Sequence, residues 1–488
     1  MNDSPGGPLI HSLLDEAVAD APASTAVRDG AGAWTYAELA AWSRAAEAVL
    51  ARRGVGRGDR VLLQLPTTRE LVALLYGTSR RGAVFVPVNP AMKPFQFGSV
   101  AANAEPVLVV TPAEFGPLWT EVERAFAAGE RAEPTEVAED DVAVLVYTSG
   151  STATPKGVVG PHRQVVFATR AIQAVLGYRG DDVVFCRFPM SWDYGLYKVL
   201  LACGGRSEIV LADAESDLRL LRRMREVGAT VVPIVPSLAT MIATLAGRDD
   251  EPPAPVRLFT NTGAALPDAT IAALRAAFPG VRVVRQFGQT ECKRITIMPP
   301  EEDLDRPGSS GLPLPGTSVH ILAADGTELP AGDIGEIVAA GPHVMPGYWR
   351  APELSARAFR RDEATGALRL HTGDYGRLDA DGYLYFEGRR DDMFKRKGIR
   401  MSTLEIEAAA MDIPGVRAAG AIPPSDTRDL AICVEGDLSP TTVLRELAKR
   451  LEPQKVPSLC HVVEELPLTA HGKNATDELA RLVEGAHQ

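Results

Sequence analysis

The segment best equipped for chemistry is Thr148-Ser149-Gly150-Ser151-Thr152-Ala153-Thr154-Pro155-Lys156-Gly157. It follows an apolar strand pattern from Val142 to Tyr147. Hydroxyls and glycine-flanked amides can wrap phosphate oxygens, and a lysine adds a compact positive charge. The closing Gly-Lys-Ser/Thr of a Walker loop is missing, since Pro155 precedes Lys156 and Gly157 follows it. Taken alone, the stretch reads equally well as a polar turn after a strand.

Other chemistry-bearing groups are scattered. Thr290 and Glu291 adjoin a basic run, Cys292-Lys293-Arg294, which could meet an acidic partner or only balance local charge. Asp374 closes Thr372-Gly373-Asp374, where an aspartate is equally a turn residue. Asp193 follows Trp192 in Phe188 to Gly195. A buried carboxylate needs a cationic or hydrogen-bonding partner. A substrate ammonium would serve; so would Lys198, or a helix beginning at Tyr194 that Asp193 caps.

Positioning these groups needs a sizeable scaffold. At roughly 150 residues per domain, the 488 residues allow about three domain-sized units. Hydrophobic content of 45% and charged content of 23% exclude wholesale disorder. A net charge of −12 argues against a general nucleic-acid or anionic-membrane binder. Cys186, Cys203, Cys292, Cys433 and Cys460 are odd in number with no CxxC pair, so neither a disulfide scaffold nor a zinc knuckle is expected. The beginning lacks a secretory pattern. The uncharged run Val227 to Gly247 reads as a buried strand entering a packed helix, not a membrane span. The expectation is a soluble cytoplasmic protein in a reducing compartment.

Helix and strand signals alternate early. Thr35 to Glu38 reads as a capping box. Leu39, Trp42, Ala46, Val49 and Leu50 then make one apolar helix face, which Gly54 ends. Strands at Arg60 to Leu65 and Ala83 to Val88 flank a helix from Glu70 to Arg81. This β-α-β order implies a mostly parallel sheet covered by helices. Residues 178–290 repeat the style. From about 300 to 390, turns separate short strands, as in a small antiparallel unit. Ser439-Pro440 opens a helix with Val443, Leu444, Leu447 and Leu451 on one stripe. The expected fold is therefore α/β: a large domain over 1–390 and a small α+β domain over 391–488, split at Arg389-Arg390-Asp391-Asp392.

The motifs together resemble the adenylate-forming superfamily of acyl-CoA synthetases, peptide-synthetase adenylation domains and luciferases. Thr148 to Gly157 is similar to TSGSTGxPKG, with Ala153 for a glycine. Phe287-Gly288-Gln289-Thr290-Glu291 resembles the aromatic-Gly-x-Thr-Glu segment, and His371 to Asp374 the TGD segment. Asp381 to Arg389 resembles the strand-turn before the family's hinge. Lys395-Arg396-Lys397-Gly398 with Glu405 to Glu407 resembles KxxG…EIE, and Pro467 to Lys473 resembles PxTxxGK. The N-terminal stretch 33–110 fits too.

The resemblance implies ATP-dependent conversion of a carboxylic acid into acyl-AMP and pyrophosphate, followed by displacement of AMP by a thiol. It implies that Thr148, Ser149, Gly150, Ser151, Thr152 and Lys156 hold the β- and γ-phosphates. Thr290 would contact the α-phosphate and Glu291 would hold Mg²⁺. Asp374 would take the ribose hydroxyls, with Arg389 in support. Gly263, Ala264 and Ala265 would lie along adenine, with Phe287 and Gly288 on its other side, although Phe287 reads equally as core. Lys473 would bridge the carboxylate and the α-phosphate. The C-terminal domain would be mobile, turning about Asp391 to present Lys395, Lys397 and Gly398 to the thiol. Trp192 and Asp193 would meet the acid, which favours an amino acid; an aryl or aliphatic acid is the alternative. The acceptor would be CoA or a separate acyl carrier protein. An inactive nucleotide-binding homologue is a different class of reading, against which Glu291 and Lys473 both stand.

Overall fold

A computed structural model describes residues 7–148, 156–212, 216–389, 393–396, 399–425, 428–451, 453, 455–467 and 475–485. A helix over Tyr36–Arg52 begins at the expected capping box: Thr35 accepts from the Glu38 amide and Glu38 reaches back to the Thr35 amide. Buried Leu39, Ala46, Val49 and Leu50 turn its apolar face inward. The helix Arg69–Arg80 and the strands Arg60–Leu63 and Val84–Pro87 follow.

Those two strands belong to a five-stranded sheet ordered Leu108–Val110, Arg60–Leu63, Val84–Pro87, Val142–Thr148, Lys156–Pro161. The first four run parallel, and the last pair is antiparallel. In that last pair Thr148 stands opposite Lys156, so the ladder clamps both ends of the candidate phosphate loop.

A nine-stranded sheet lies alongside. Its centre holds Arg282–Phe287, Leu258–Asn261, Val231–Ile234, Val183–Cys186 and Glu208–Leu211 in that spatial order, all parallel. The chain leaves Val183–Cys186 for Glu208–Leu211 on one side, then returns to build Val231–Ile234 on the other. Strand order reverses there, and such a point opens a crevice at the carboxyl ends of the strands. The apolar run from 227 is indeed the buried strand Val231–Ile234 and the helix Pro236–Ala246.

Beyond residue 300 the strands Ser318–Leu322, Gly335–Ala340, Leu368–Leu378, Phe359–Arg361 and Leu384–Arg389 form an antiparallel sheet. The last described segments build a three-stranded sheet of Val416–Ile422, Ala431–Gly436 and Leu459–Val463. Helices Thr403–Met411, Pro440–Leu447 and Thr476–Gly485 accompany it. Ser439 caps the second of these through the Thr442 amide, as its sequence predicts.

The main apolar core runs from Ile10 to Leu384, and a smaller cluster around Leu62 and Leu145 lies on the five-stranded sheet. Two further clusters draw only on residues after 393. None of the five cysteines is in a disulfide. Among the described residues, no helix is long and apolar enough to cross a membrane.

Candidate active site

The candidate residues gather where the parallel strands end. After Val183–Cys186 the chain turns through 187–192 into the helix Asp193–Gly205. A Cβ at Gly195 would lie 2.2 Å from the Pro189 carbonyl oxygen, so only glycine lets the helix back onto this turn. Asp193 opens the helix, where the dipole favours a carboxylate. Thr290 donates its hydroxyl to Asp193 Oδ1 at 3.3 Å, joining two motifs that lie 97 positions apart. Lys198 does not take up Asp193. It lies 1% exposed and donates to Tyr178 Oη at 3.2 Å and Thr260 Oγ1 at 3.4 Å. Half-buried Trp192 leans toward Phe188, with ring centroids 6.2 Å apart.

The strand Arg282–Phe287 runs into a tight turn carrying Gly288 to Arg294. A Cβ on Gly288 would sit 2.3 Å from the Lys293 carbonyl oxygen, which makes this motif glycine obligatory. Lys293 itself has φ +70°, a conformation rare outside glycine and costly for a lysine. It places a fully buried ammonium 5.1 Å from the centre of the Tyr197 ring. Arg294 is also buried, with Nε donating to Gln286 Oε1 at 2.8 Å and the guanidinium 4.9 Å from the Tyr194 ring centre. Burial pulls the Lys293 ammonium below its usual range, while the Asp193 and Glu291 carboxylates push the other way. The same turn buries Cys292 and drives its thiol up to about 12, which makes it a poor nucleophile.

Glu291 accepts the Tyr348 phenol at 2.7 Å through Oε1, and its carbonyl takes the Met345 amide at 2.9 Å. Tyr348 also lies beside the hairpin that carries Lys156, where its ring centre is 5.9 Å from Lys156 Nζ. One tyrosine thus links the lysine of the first motif to the carboxylate of the second. No cluster of three acidic, histidine or cysteine groups forms among the described residues. A single carboxylate with one oxygen anchored suits Mg²⁺, which takes its other ligands from phosphates and water.

Gln289 Nε2 donates to Asp374 Oδ2 at 2.6 Å and to the Thr372 carbonyl at 2.9 Å. Thr372 Oγ1 accepts the Asp374 amide at 3.0 Å, and Asp374 stands opposite Arg389 in the antiparallel ladder. Gly263, Ala264 and Ala265 are exposed just past the strand Leu258–Asn261, held by Asn261 Nδ2 donating to the Ala264 carbonyl at 2.9 Å. Phe287 stacks on Phe386 with centroids 5.1 Å apart.

Contacts join Thr290 to Asp193, Glu291 and Lys156 to Tyr348, and Gln289 to Asp374, while Gly263 to Ala265 and Gly288 follow the carboxyl ends of adjacent parallel strands. Arg389 and Lys395 are strand positions in Leu384–Arg389 and Met393–Arg396. Ser149, Gly150, Ser151, Thr152, Ala153, Asp391, Lys397, Gly398 and Lys473 lie outside the described residues. Sequence reasoning assigned no role to Gln289, Tyr348 or the aromatic wall of Tyr178, Tyr194 and Tyr197. Tyr348 left one faint signal, an aromatic pair in Gly347-Tyr348-Trp349 after a proline.

Residues 14–349 match the family model described as AMP-binding enzyme. The chain is 30% identical to a 3-hydroxybenzoate–CoA ligase from Aromatoleum sp. (strain CIB), over 95% of this chain and 94% of that one. It is 29% identical to a plipastatin synthase polypeptide of Bacillus subtilis (strain 168), over 96% of this chain but only 19% of that relative's length. Solved structures of VinN include complexes with L-aspartate and with 3-methylaspartate. VinN on its own is 53% identical with a TM-score of 0.73, covering 78% of this chain and 99% of VinN. ATP-bound MatB from Rhodopseudomonas palustris is 27% identical with a TM-score of 0.85, covering 99% of this chain and all of MatB. The chain belongs to the AMP-binding enzyme family and is an AMP-forming ligase.

Proposed function

We propose that the chain activates an amino acid of the aspartate class as its acyl-AMP and then passes it to a phosphopantetheine thiol. The observation that carries this reading is the Asp193 carboxylate acting on the buried Lys293 ammonium, with the buried Arg294 cation next to it in the chain. Burying two cations is costly unless a counter-charge arrives. An acidic amino acid brings an ammonium for Asp193 and a second carboxylate for the two cations. The likeness to VinN, solved with L-aspartate and with 3-methylaspartate, supports the same class.

In the first half-reaction a carboxylate oxygen attacks the α-phosphorus of ATP and the bond to the pyrophosphate oxygen breaks. Catalysis of such a step is positioning and charge neutralisation. Thr148 to Lys156 would hold the β- and γ-phosphates, and Thr290 the α-phosphate. Glu291, steadied by Tyr348, would hold Mg²⁺, which neutralises phosphate charge when bound. Gly263 to Ala265 and Phe287 would flank adenine, and Asp374, fixed by Gln289, would accept the ribose hydroxyls with Arg389 beside it. Lys473 would bring the two anions together. In the second half-reaction a thiolate attacks the acyl carbon and AMP leaves. Residues 391–488 would form a mobile domain that turns about Asp391 and offers Lys395, Lys397 and Gly398 to the incoming thiol.

The test is ATP–pyrophosphate exchange across amino, aryl and fatty acids, with mass detection of thioesters on CoA and on a carrier protein. Exchange confined to acidic amino acids is expected. Exchange confined to aryl or aliphatic acids would remove the role given to Asp193, and none with any acid would point to an inactive homologue.

A further inference from the structure

The Thr372-Gly373-Asp374 triplet steps out of its own sheet. Along the antiparallel pair of Gly335–Ala340 and Leu368–Leu378, Val338 stands opposite His371 and Glu336 opposite Tyr375. Ile337 is therefore the lone residue facing Thr372, Gly373 and Asp374, and the register shifts at this point. Such a bulge re-aims a side chain and disrupts the ladder locally. Each buried amide it releases needs another acceptor.

Two amides of the triplet find theirs by different routes. The Asp374 amide donates to Thr372 Oγ1 at 3.0 Å, and that hydroxyl donates to the Ile337 carbonyl at 2.7 Å. The Gly373 amide instead crosses to the neighbouring strand, donating to Glu336 Oε1 at 3.2 Å. Gly373 has φ +70°, so it is the left-handed corner of the bulge, and a carboxylate from outside the motif fastens that corner. The other oxygen of Glu336 meets His371 Nδ1 at 3.0 Å, on the residue just before the triplet. The His371 and Glu336 side chains are 14% and 24% exposed, so water screens the contact only in part. Burial pushes the Glu336 carboxyl up, but its bonds to His371 and the Gly373 amide leave it below its usual range, so it accepts at both oxygens.

We propose that Glu336 is a positioning residue for the nucleotide: it holds the Gly373 corner of the bulge and so aims the Asp374 carboxylate. The role rests on the assignment of Asp374 to the ribose hydroxyls. Gln289 grips the Asp374 side chain from another element, so loss of Glu336 loosens the carboxylate without freeing it. The effect is therefore smaller than that of removing Asp374 itself, and it is confined to ligands that carry the hydroxyls.

The test titrates ATP and, separately, 2′,3′-dideoxy-ATP into the full chain with Mg²⁺ and no acid, so it does not depend on which acid is activated. Folded Glu336→Ala is expected to bind ATP about five- to tenfold more weakly and dideoxy-ATP less than about twofold more weakly. Glu336→Gln keeps an oxygen for the Gly373 amide and is expected to bring ATP affinity back to within about twofold of the wild type. Should Glu336→Ala not fold, Glu336→Asp keeps the charge but draws the oxygen back, and a smaller loss confined to ATP is expected. Glu336→Ala added to Asp374→Ala is expected to cost nothing further for ATP, because the two act as one unit. Equal weakening of both nucleotides in the folded Glu336 variants overturns the proposal, as does no weakening of either, or a Glu336→Gln chain no better than Glu336→Ala. If Asp374→Ala itself weakens both nucleotides equally, the ribose assignment fails and this proposal with it. If Asp374→Ala is selective for ATP and Glu336→Ala is not, only the positioning role fails.

Discussion

Tyr348 donates its phenol hydrogen to the Glu291 carboxylate at 2.7 Å, across 57 positions of chain. The contact ties the strand-end turn of the nine-stranded sheet to the hairpin that carries Lys156, because Tyr348 also bridges to Val158. The Glu291 carboxylate, proposed above to hold Mg²⁺, is thereby held in one place. Tyr348→Phe is expected to raise the Mg²⁺ concentration needed for pyrophosphate exchange and to lower kcat/KM about tenfold, near 1.4 kcal/mol. Unchanged Mg²⁺ dependence would show that Glu291 needs no such support.

Gln289 and Asp374 make a second such pair, at the carboxylate proposed to take the ribose hydroxyls. Asp374→Ala is expected to raise the KM for ATP about 10- to 100-fold with a smaller effect on kcat, as loss of a charged hydrogen-bond acceptor does. The penalty should shrink with 2′,3′-dideoxy-ATP, which lacks the hydroxyls Asp374 is assigned. An equal penalty with both nucleotides would place Asp374 away from the ribose.

The two proposed half-reactions are expected to respond separately to substitution. Lys473→Ala is expected to lower acyl-AMP formation by at least about a hundredfold while leaving the unfolding temperature unchanged. Asp391→Pro is expected to spare adenylation and depress thioester formation, because it stiffens the assigned hinge. Equal loss of both steps in Asp391→Pro would count against a hinge.

Acid sensitivity follows from buried imidazoles. His162 and His343 are fully buried, and burial pushes both down from 6.5 to about 4. Between those values the unfolded chain binds protons that the folded chain refuses, so stability is present above pH 6.5 and lost toward pH 4. The unfolding temperature should fall steeply across that window. His343, whose two ring nitrogens have no partner, is the cleaner probe. His343→Leu should flatten the slope by about one proton, and an unaltered slope would rule its imidazole out as a source.

Much of this arrangement is legible in the sequence because it rests on local rules. The capping box at Thr35, the Ser439-Pro440 helix start and the buried strand after Val227 depend on neighbouring residues alone, and the structure keeps them. The site was partly legible, since motif residues carry their chemistry with them. Tyr348 and the Gln289–Asp374 pair were not, because those contacts join positions 57 and 85 apart. The basic run after Glu291 was open between substrate and surface. Burial of Lys293, in a backbone conformation lysine rarely adopts, is a tertiary property that no local pattern announces.

The most direct test compares L-aspartate with L-asparagine in ATP–pyrophosphate exchange, in the wild type and in Arg294→Met. The two acids match in size and differ in the charge that Lys293 and Arg294 are assigned to read. The account predicts that kcat/KM favours aspartate by about a hundredfold or more, and that Arg294→Met erases most of the difference. Equal turnover of the two acids by the wild type, or an undiminished preference in Arg294→Met, would contradict it.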